Sequence, residues 1–383
     1  MEQVKKKTAV PQPPVGPGEG QPISYVSTES IAEDFEKSNP LGQEVETFWQ
    51  FTPEDDPSYL PALSMNELFE RVYPGNPPVI EGLLYAGVYL FAGAAKTGKS
   101  FLMVQLAYHV SKGLPLWGYP VRSGTVLYLA LEDDYHRLQE RLYRMFGTDS
   151  AENLYFSVKA HTLDEELEKQ LRGFFQEHPD TRLVIIDILQ KVREAGEDRY
   201  SYASDYEVIT QFKQFAAETG ICLLLVHHTR KQQADDRFDM ISGTNGLFGA
   251  ADGAFLLQKE RRTDNMATLD IAGRDQQDQR LHLKRNEEKL VWDLVRRETE
   301  LWREPPDPVL EAVAALVTAE RPEWKGTATE LVAALGVEMK PNALAMRLNI
   351  RACRLSSEHH IRYESFRTHI GRRILLTFEP SQA

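Results

Sequence analysis

Between residues 79 and about 295 the chain alternates short apolar runs with longer amphipathic stretches. The runs fall at 88–92, 125–131, 183–189, 221–226 and 254–257. Unbroken apolarity over so few residues suits strands buried on both faces, as in a parallel sheet covered by helices. Between the runs, residues 99–112, 133–146, 164–177 and 204–219 carry helical patterns. Gly113, Gly147 and Gly220 follow three of these stretches, where helix-ending glycines belong. Strands and helices in alternation predict an α/β fold with a parallel sheet. Residues 267–295 alternate as strands do and are expected to extend that sheet.

The pattern changes on either side of this core. Residues 1–45 are rich in Pro, Gly, Ser, Glu and Gln. They offer too little apolar surface to offset their ordering entropy, so a disordered tail is expected. A short helical pattern at 65–72 leads into the core. Residues 301–308 contain Arg303-Glu-Pro-Pro-Asp-Pro308 and read as a stiff polar linker. Beyond it, helices are expected at 309–319, 328–335 and from Pro341 to about 356, with Gly336 closing the second. A hairpin at 361–379 would turn around His369-Ile-Gly371. Three helices and a hairpin make the layout of a small α+β winged-helix domain. The expected domains are therefore a tail (1–45), an α/β core (46–300), a linker (301–308) and a winged helix (309–383).

Composition narrows the class only a little. The chain has 383 residues, 26% of them charged, and a net charge of −13. An acidic total argues against a protein that wraps duplex DNA, but leaves room for a basic channel. No apolar run reaches the ~20 residues that span a bilayer, and no apolar segment follows the basic start as in a signal peptide. The two cysteines, Cys222 and Cys353, lack CxxC partners, so neither a zinc cluster nor a disulfide framework is expected. A cytoplasmic protein with no membrane partner is the expectation.

The strongest chemical signal is Gly93-Ala94-Ala95-Lys96-Thr97-Gly98-Lys99-Ser100, with Phe101 next. It fits the phosphate-loop pattern in full, with an apolar strand before it and an amphipathic helix after it. Glycines let backbone N–H groups converge on a phosphate, and the helix N-terminus adds positive potential. Lys99 is then expected at the β- and γ-phosphates of ATP, and the Ser100 hydroxyl on Mg²⁺. Such chemistry also needs carboxylates at strand ends. Asp187 ends an apolar run and is the candidate for holding Mg²⁺, with helix capping as the alternative. Glu132 ends another and is the candidate catalytic base, with a helix-start carboxylate as the alternative; Asp133 or Asp134 would cap the following helix.

Three further features have open readings. His228, at the end of 223–228, is either a γ-phosphate sensor or a structural histidine; neighbouring His227 points to the other face, which argues against a metal pair. The polar stretch 231–248 reads as a long functional loop or a merely solvated one. Arg230, Lys231 and Arg237 in and beside it are candidate contacts to a nucleic-acid backbone. In the C-terminal segment, Arg347, Arg351 and Arg354 form one stripe of the third helix beside a Leu344, Leu348, Leu355 stripe. With Arg372 and Arg373 on the wing, they suit a groove of duplex DNA, or else a solvated or protein-docking face.

Together, residues 81–100 with the additional Lys96, Leu129-Ala-Leu-Glu132-Asp133, Ile186-Asp187 and Val226-His227-His228, in that order, resemble RecA-like ATPases of the RepA type. These are hexameric replicative helicases of plasmids and mobile elements, related to DnaB helicases. The resemblance covers about 60–285. It implies a RecA-like P-loop NTPase core, a homo-oligomeric ring with ATP at subunit interfaces, and single-stranded DNA as partner. It also implies an arginine supplied by the neighbouring subunit, for which Arg274 is the first candidate and Arg230 the second. Two features depart from that pattern: no N-terminal helical domain is visible, and the winged helix is additional. An initiator or regulatory ATPase, and an assembly or defence-system ATPase without unwinding, are the alternatives.

Overall fold

The computed structural model describes residues 60, 62–73, 75–163, 166–193, 202–230, 237–241, 245–259, 261, 263–274, 276–298, 305–368 and 371–379. The expected tail (1–45), Lys231, part of the linker (301–304) and the hairpin tip at His369-Ile370 lie outside them. The elements below all belong to the unit Ser64–Ala383.

Nine strands form the main sheet: β1 (Gly87–Gly93), β2 (Thr125–Ala130), β3 (Leu154–Ser157), β4 (Thr181–Asp187), β5 (Cys222–His228), β6 (Gly253–Gln258), β7 (Met266–Gly273), β8 (Gln279–Arg285) and β9 (Trp292–Arg297). Their order is β3-β2-β4-β5-β1-β6-β7-β8-β9. The six strands from β3 to β6 run parallel, and β7 to β9 continue antiparallel. The two kinds of strand differ in burial as their sequences do. Every residue of β2 is buried, whereas β8 alternates buried and half-buried positions.

Alternation along the parallel strands divides the core between two faces. Val126, Tyr128, Leu183 and Ile185 pack with the helix Lys99–Lys112 on one face. Leu127, Leu129, Val184 and Ile186 pack with the helices Leu167–Glu177 and Tyr202–Thr219 on the other. A strand covered on both sides has no polar positions to offer, so its sequence reads as a solid apolar run. This is the α/β architecture with a largely parallel sheet expected from the sequence.

Several boundaries differ from the sequence reading. The second helix starts at Tyr135 rather than 133: Asp134 is its cap, accepting from the Arg137 N–H at 2.9 Å. The short strand β3 carries no long apolar run and was not expected. The stretch 231–248 is not one loop, because a 3₁₀ turn (Phe238–Met240) and a helix (Asn245–Ala250) occupy part of it.

The C-terminal elements have their own core, built on Leu310, Val313, Leu331, Leu344, Leu348, Leu355, Ile374 and Leu376. The helices Pro308–Leu316, Ala328–Leu335 and Pro341–His359 surround a three-stranded sheet ordered β10-β12-β11. Its strands are β10 (Glu323–Gly326), β11 (Ile361–Thr368) and β12 (Gly371–Phe378). The first helix stops at Leu316, short of the expected 319, and β10 was missed because four residues carry almost no period.

Candidate nucleotide site

Register decides what meets at the carboxyl edge of the sheet. Gly93 pairs with His228, and Ala130 with Asp187. In the order β2-β4-β5-β1, the strand ends leading to Glu132, Asp187, His228 and the phosphate loop stand side by side, at roughly 4.8 Å from strand to strand. Loops at the carboxyl ends of parallel strands are where such sheets bind ligands.

The loop is shaped by its backbone. A Cβ on Gly93 would lie 2.8 Å from the Leu257 carbonyl oxygen of the neighbouring strand. Gly98 has φ 99° and precedes the first turn of the helix Lys99–Lys112, so the free N–H groups of that turn face the loop. Ala94, Ala95 and Lys96 are exposed; Thr97 is buried, its hydroxyl donating to the Ala94 carbonyl at 2.9 Å.

Lys99 is 7% exposed. Its Nζ donates to the carbonyls of Gly93 (2.8 Å) and Ala94 (3.1 Å) and lies 3.3 Å from His228 Nδ1. Burial lowers the lysine pKa, and the carboxylates of Asp187 and Glu132 oppose that shift, so both sit within electrostatic reach. An ammonium can only donate, so His228 Nδ1 accepts and its proton resides on Nε2. The imidazole pKa is held below its ordinary value by burial first and by the Lys99 charge second. His227 is buried on the other face of β5.

The acidic run after β2 divides its work. Asp134 caps the helix, and Asp133 pairs with Arg141 at 2.6 Å. Glu132 stays exposed, within electrostatic reach of Lys99 and His228. Asp187 is buried at the end of β4 and accepts from the Tyr128 hydroxyl at 2.7 Å. Phe101, half-buried, is flanked by the guanidinium groups of Arg141 (5.0 Å to the ring centroid) and Arg285 (4.3 Å). Tyr128 and Arg141 were not singled out by sequence reading. A phenol inside the fully apolar run 126–131 was the available signal, since a buried tyrosine hydroxyl needs a partner.

The other candidates lie elsewhere. Arg274 follows β7; its backbone N–H donates to Asp252 and its Nη2 lies 3.3 Å from the Gly249 carbonyl. Gly273 pairs with Gly253, whereas Gly93 pairs with Leu257. Arg274 therefore sits at the opposite edge of the sheet, about 13 Å along β6 from the level of the loop. Arg230 leaves β5 with its N–H on the Met240 carbonyl at 2.7 Å. Arg237 pairs with buried Asp270 at 3.0 Å.

In the C-terminal elements, Arg347 grips Asp307 through two nitrogens (3.1 and 2.9 Å), and Arg354 binds Glu358 at 2.6 Å. On β12, Arg372 faces Glu70 at 3.3 Å and Arg373 faces Glu330 at 3.6 Å. Arg351 is half-buried, while Met346 and Ile350 are exposed large apolar side chains of the same helix.

A family model described as an AAA domain matches residues 54–234, a span holding the loop, Glu132, Asp187 and His228 but ending before β6. None of the curated proteins compared with the chain matches it. Among solved structures, the chain is similar to the ATPase domain of G40P at 17% identity and TM-score 0.46, over 55% of this chain and 85% of that one. It is similar to a DnaB-like replicative helicase at 18% identity and TM-score 0.47, over 60% of this chain and 66% of that one. A KaiC-like protein from Pyrococcus horikoshii OT3 shares 13% identity at TM-score 0.39, over 59% and 99% of the two chains.

Proposed function

We propose that the chain is an ATP hydrolase acting as a motor on single-stranded DNA, in a homo-oligomeric, RepA-type hexameric ring. The observation that carries the reading is the convergence of Lys99, Glu132, Asp187 and His228 at four neighbouring strand ends, with the two carboxylates as counter-charges to the buried lysine.

In this reading the loop amides and Lys99 hold the phosphates of ATP, and the lysine exchanges some of its present acceptors for phosphate oxygens. Glu132 takes a proton from the attacking water. When bound, Mg²⁺ neutralises charge that develops on the β- and γ-phosphate oxygens. The donor set fits that ion, since both groups offer hard oxygens: the Asp187 carboxylate at the end of β4 and the Ser100 hydroxyl in the first turn of the helix Lys99–Lys112. Mg²⁺ characteristically takes one or two protein oxygens and fills the rest with water and phosphate. Ser100 and Asp187 supply them.

His228 accepts from Lys99, so any movement of the lysine toward phosphate changes what the imidazole bonds to. That gives the end of β5, and Arg230 beyond it, a means of sensing the nucleotide. Arg274 faces away from its own loop, as an arginine serving a neighbouring subunit would. The α/β core (46–300) is the motor, and the winged helix (309–383) an added module for duplex DNA. Arg372 and Arg373 reach phosphate by exchanging their ion pairs with the exposed carboxylates of Glu70 and Glu330, pairs that contribute little in water.

The test is ATP turnover with and without single-stranded DNA, beside Lys99→Ala. Stimulation that the substitution abolishes, followed by strand displacement, is the expected result. Turnover indifferent to single strands would remove the motor and leave an initiator or assembly ATPase.

A further inference from the structure

We infer that Tyr128 is a positioning residue for the cation, orienting the Asp187 carboxylate that would hold Mg²⁺. The inference rests on the nucleotide-site reading above and adds a residue to it.

Tyr128 lies inside β2, fully buried, beside β4; its partner in register is Ile185, two residues before Asp187. The side chain shares a face with Asp187 and with the helix Lys99–Lys112. Its ring is seated against Phe156, with centroids 5.6 Å apart. The hydroxyl donates to Asp187 Oδ2 at 2.7 Å. A buried phenol on β2 thus holds a carboxylate at the end of the neighbouring strand β4.

Donor accounting fixes the direction of the bond. A phenol has one proton, and a carboxylate can only accept. Tyr128 gives its proton to Asp187 Oδ2, which is thereby held, and Oδ1 is left for a cation. Partners of this kind fix ligand orientation, and their loss typically costs about 10–100-fold in metal affinity.

The experiment titrates Mg²⁺ into the full chain carrying a fluorescent ADP analogue, comparing wild type with Tyr128→Phe. The same analogue is titrated in EDTA, and Phe156→Leu serves as a packing control that loosens the ring seat but keeps the hydroxyl. Expected is an apparent Mg²⁺ affinity weakened about 10–100-fold in Tyr128→Phe, with affinity in EDTA unchanged and a smaller effect in Phe156→Leu. Mg²⁺ affinity within twofold of wild type would overturn the inference. So would a loss equal with and without Mg²⁺, or a loss matched by Phe156→Leu, since either marks a packing role. Failure of the wild-type chain to bind the analogue at all would instead sink the nucleotide-site reading.

Discussion

Two glycines in the same chain should respond to alanine with opposite signs. At Gly93 a methyl group would meet the Leu257 carbonyl oxygen at 2.8 Å, and Lys99 Cδ and Thr97 Oγ1 at 3.3 Å each. The carbonyl belongs to β6, paired directly with β1, so it cannot swing aside as a side chain would. The strands must part by several tenths of an ångström. Overpacking of this kind costs about 1–3 kcal/mol, or roughly 1–4 °C in melting temperature at this chain size. Nucleotide affinity should fall with it, because Lys99 is anchored on the carbonyl of Gly93 itself. Gly173 lies within the helix Leu167–Glu177 with nothing within 4 Å of an added Cβ. There alanine should stabilise by about 0.5–1 kcal/mol through the unfolded chain. Differential scanning calorimetry of both variants, with and without Mg·ADP, is the assay. A Gly93→Ala protein that melts within a degree of wild type and binds nucleotide normally would refute the reasoning about β1 and β6.

Other consequences can be checked in the same way. The His228 pKa is depressed in the folded state, so the unfolded chain takes up its proton first as pH falls. Its contribution to stability is present above the unfolded value near ~6.5 and is lost as pH drops through the folded one; the melting difference between wild type and His228→Asn should shrink from neutral pH to pH ~5, and a pH-independent difference would contradict this. Asp307 caps the helix Pro308–Leu316 through the Val309 N–H and holds Arg347. Asp307→Ala should cost about 1–2 kcal/mol in urea denaturation, with Arg347→Ala costing less because the cap survives it.

The sequence determined whatever depends on local pattern. Solid apolar runs specified strands covered on both faces, because such a strand has no exposed side on which to place polar residues. Gly93 to Ser100 could be read as a phosphate loop because amide convergence and a helix N-terminus need that spacing and those residues. Asp134 as a cap and Gly113 as a helix end were legible for the same reason. The tertiary structure decided everything that depends on which elements are neighbours. Nothing in the sequence says that β5 inserts between β1 and β4, and it is that insertion which brings His228 against Lys99. Pairing of β2 with β4 puts the Tyr128 hydroxyl on Asp187, fifty-nine positions away in the chain. The pairing of Gly273 with Gly253 carries Arg274 to the far edge of the sheet, and only the packed C-terminal elements show Arg347 and Arg372 holding acids. Periodicity reports which side of an element is buried; it carries no information about the element buried against it, and a site assembled across strands depends on that.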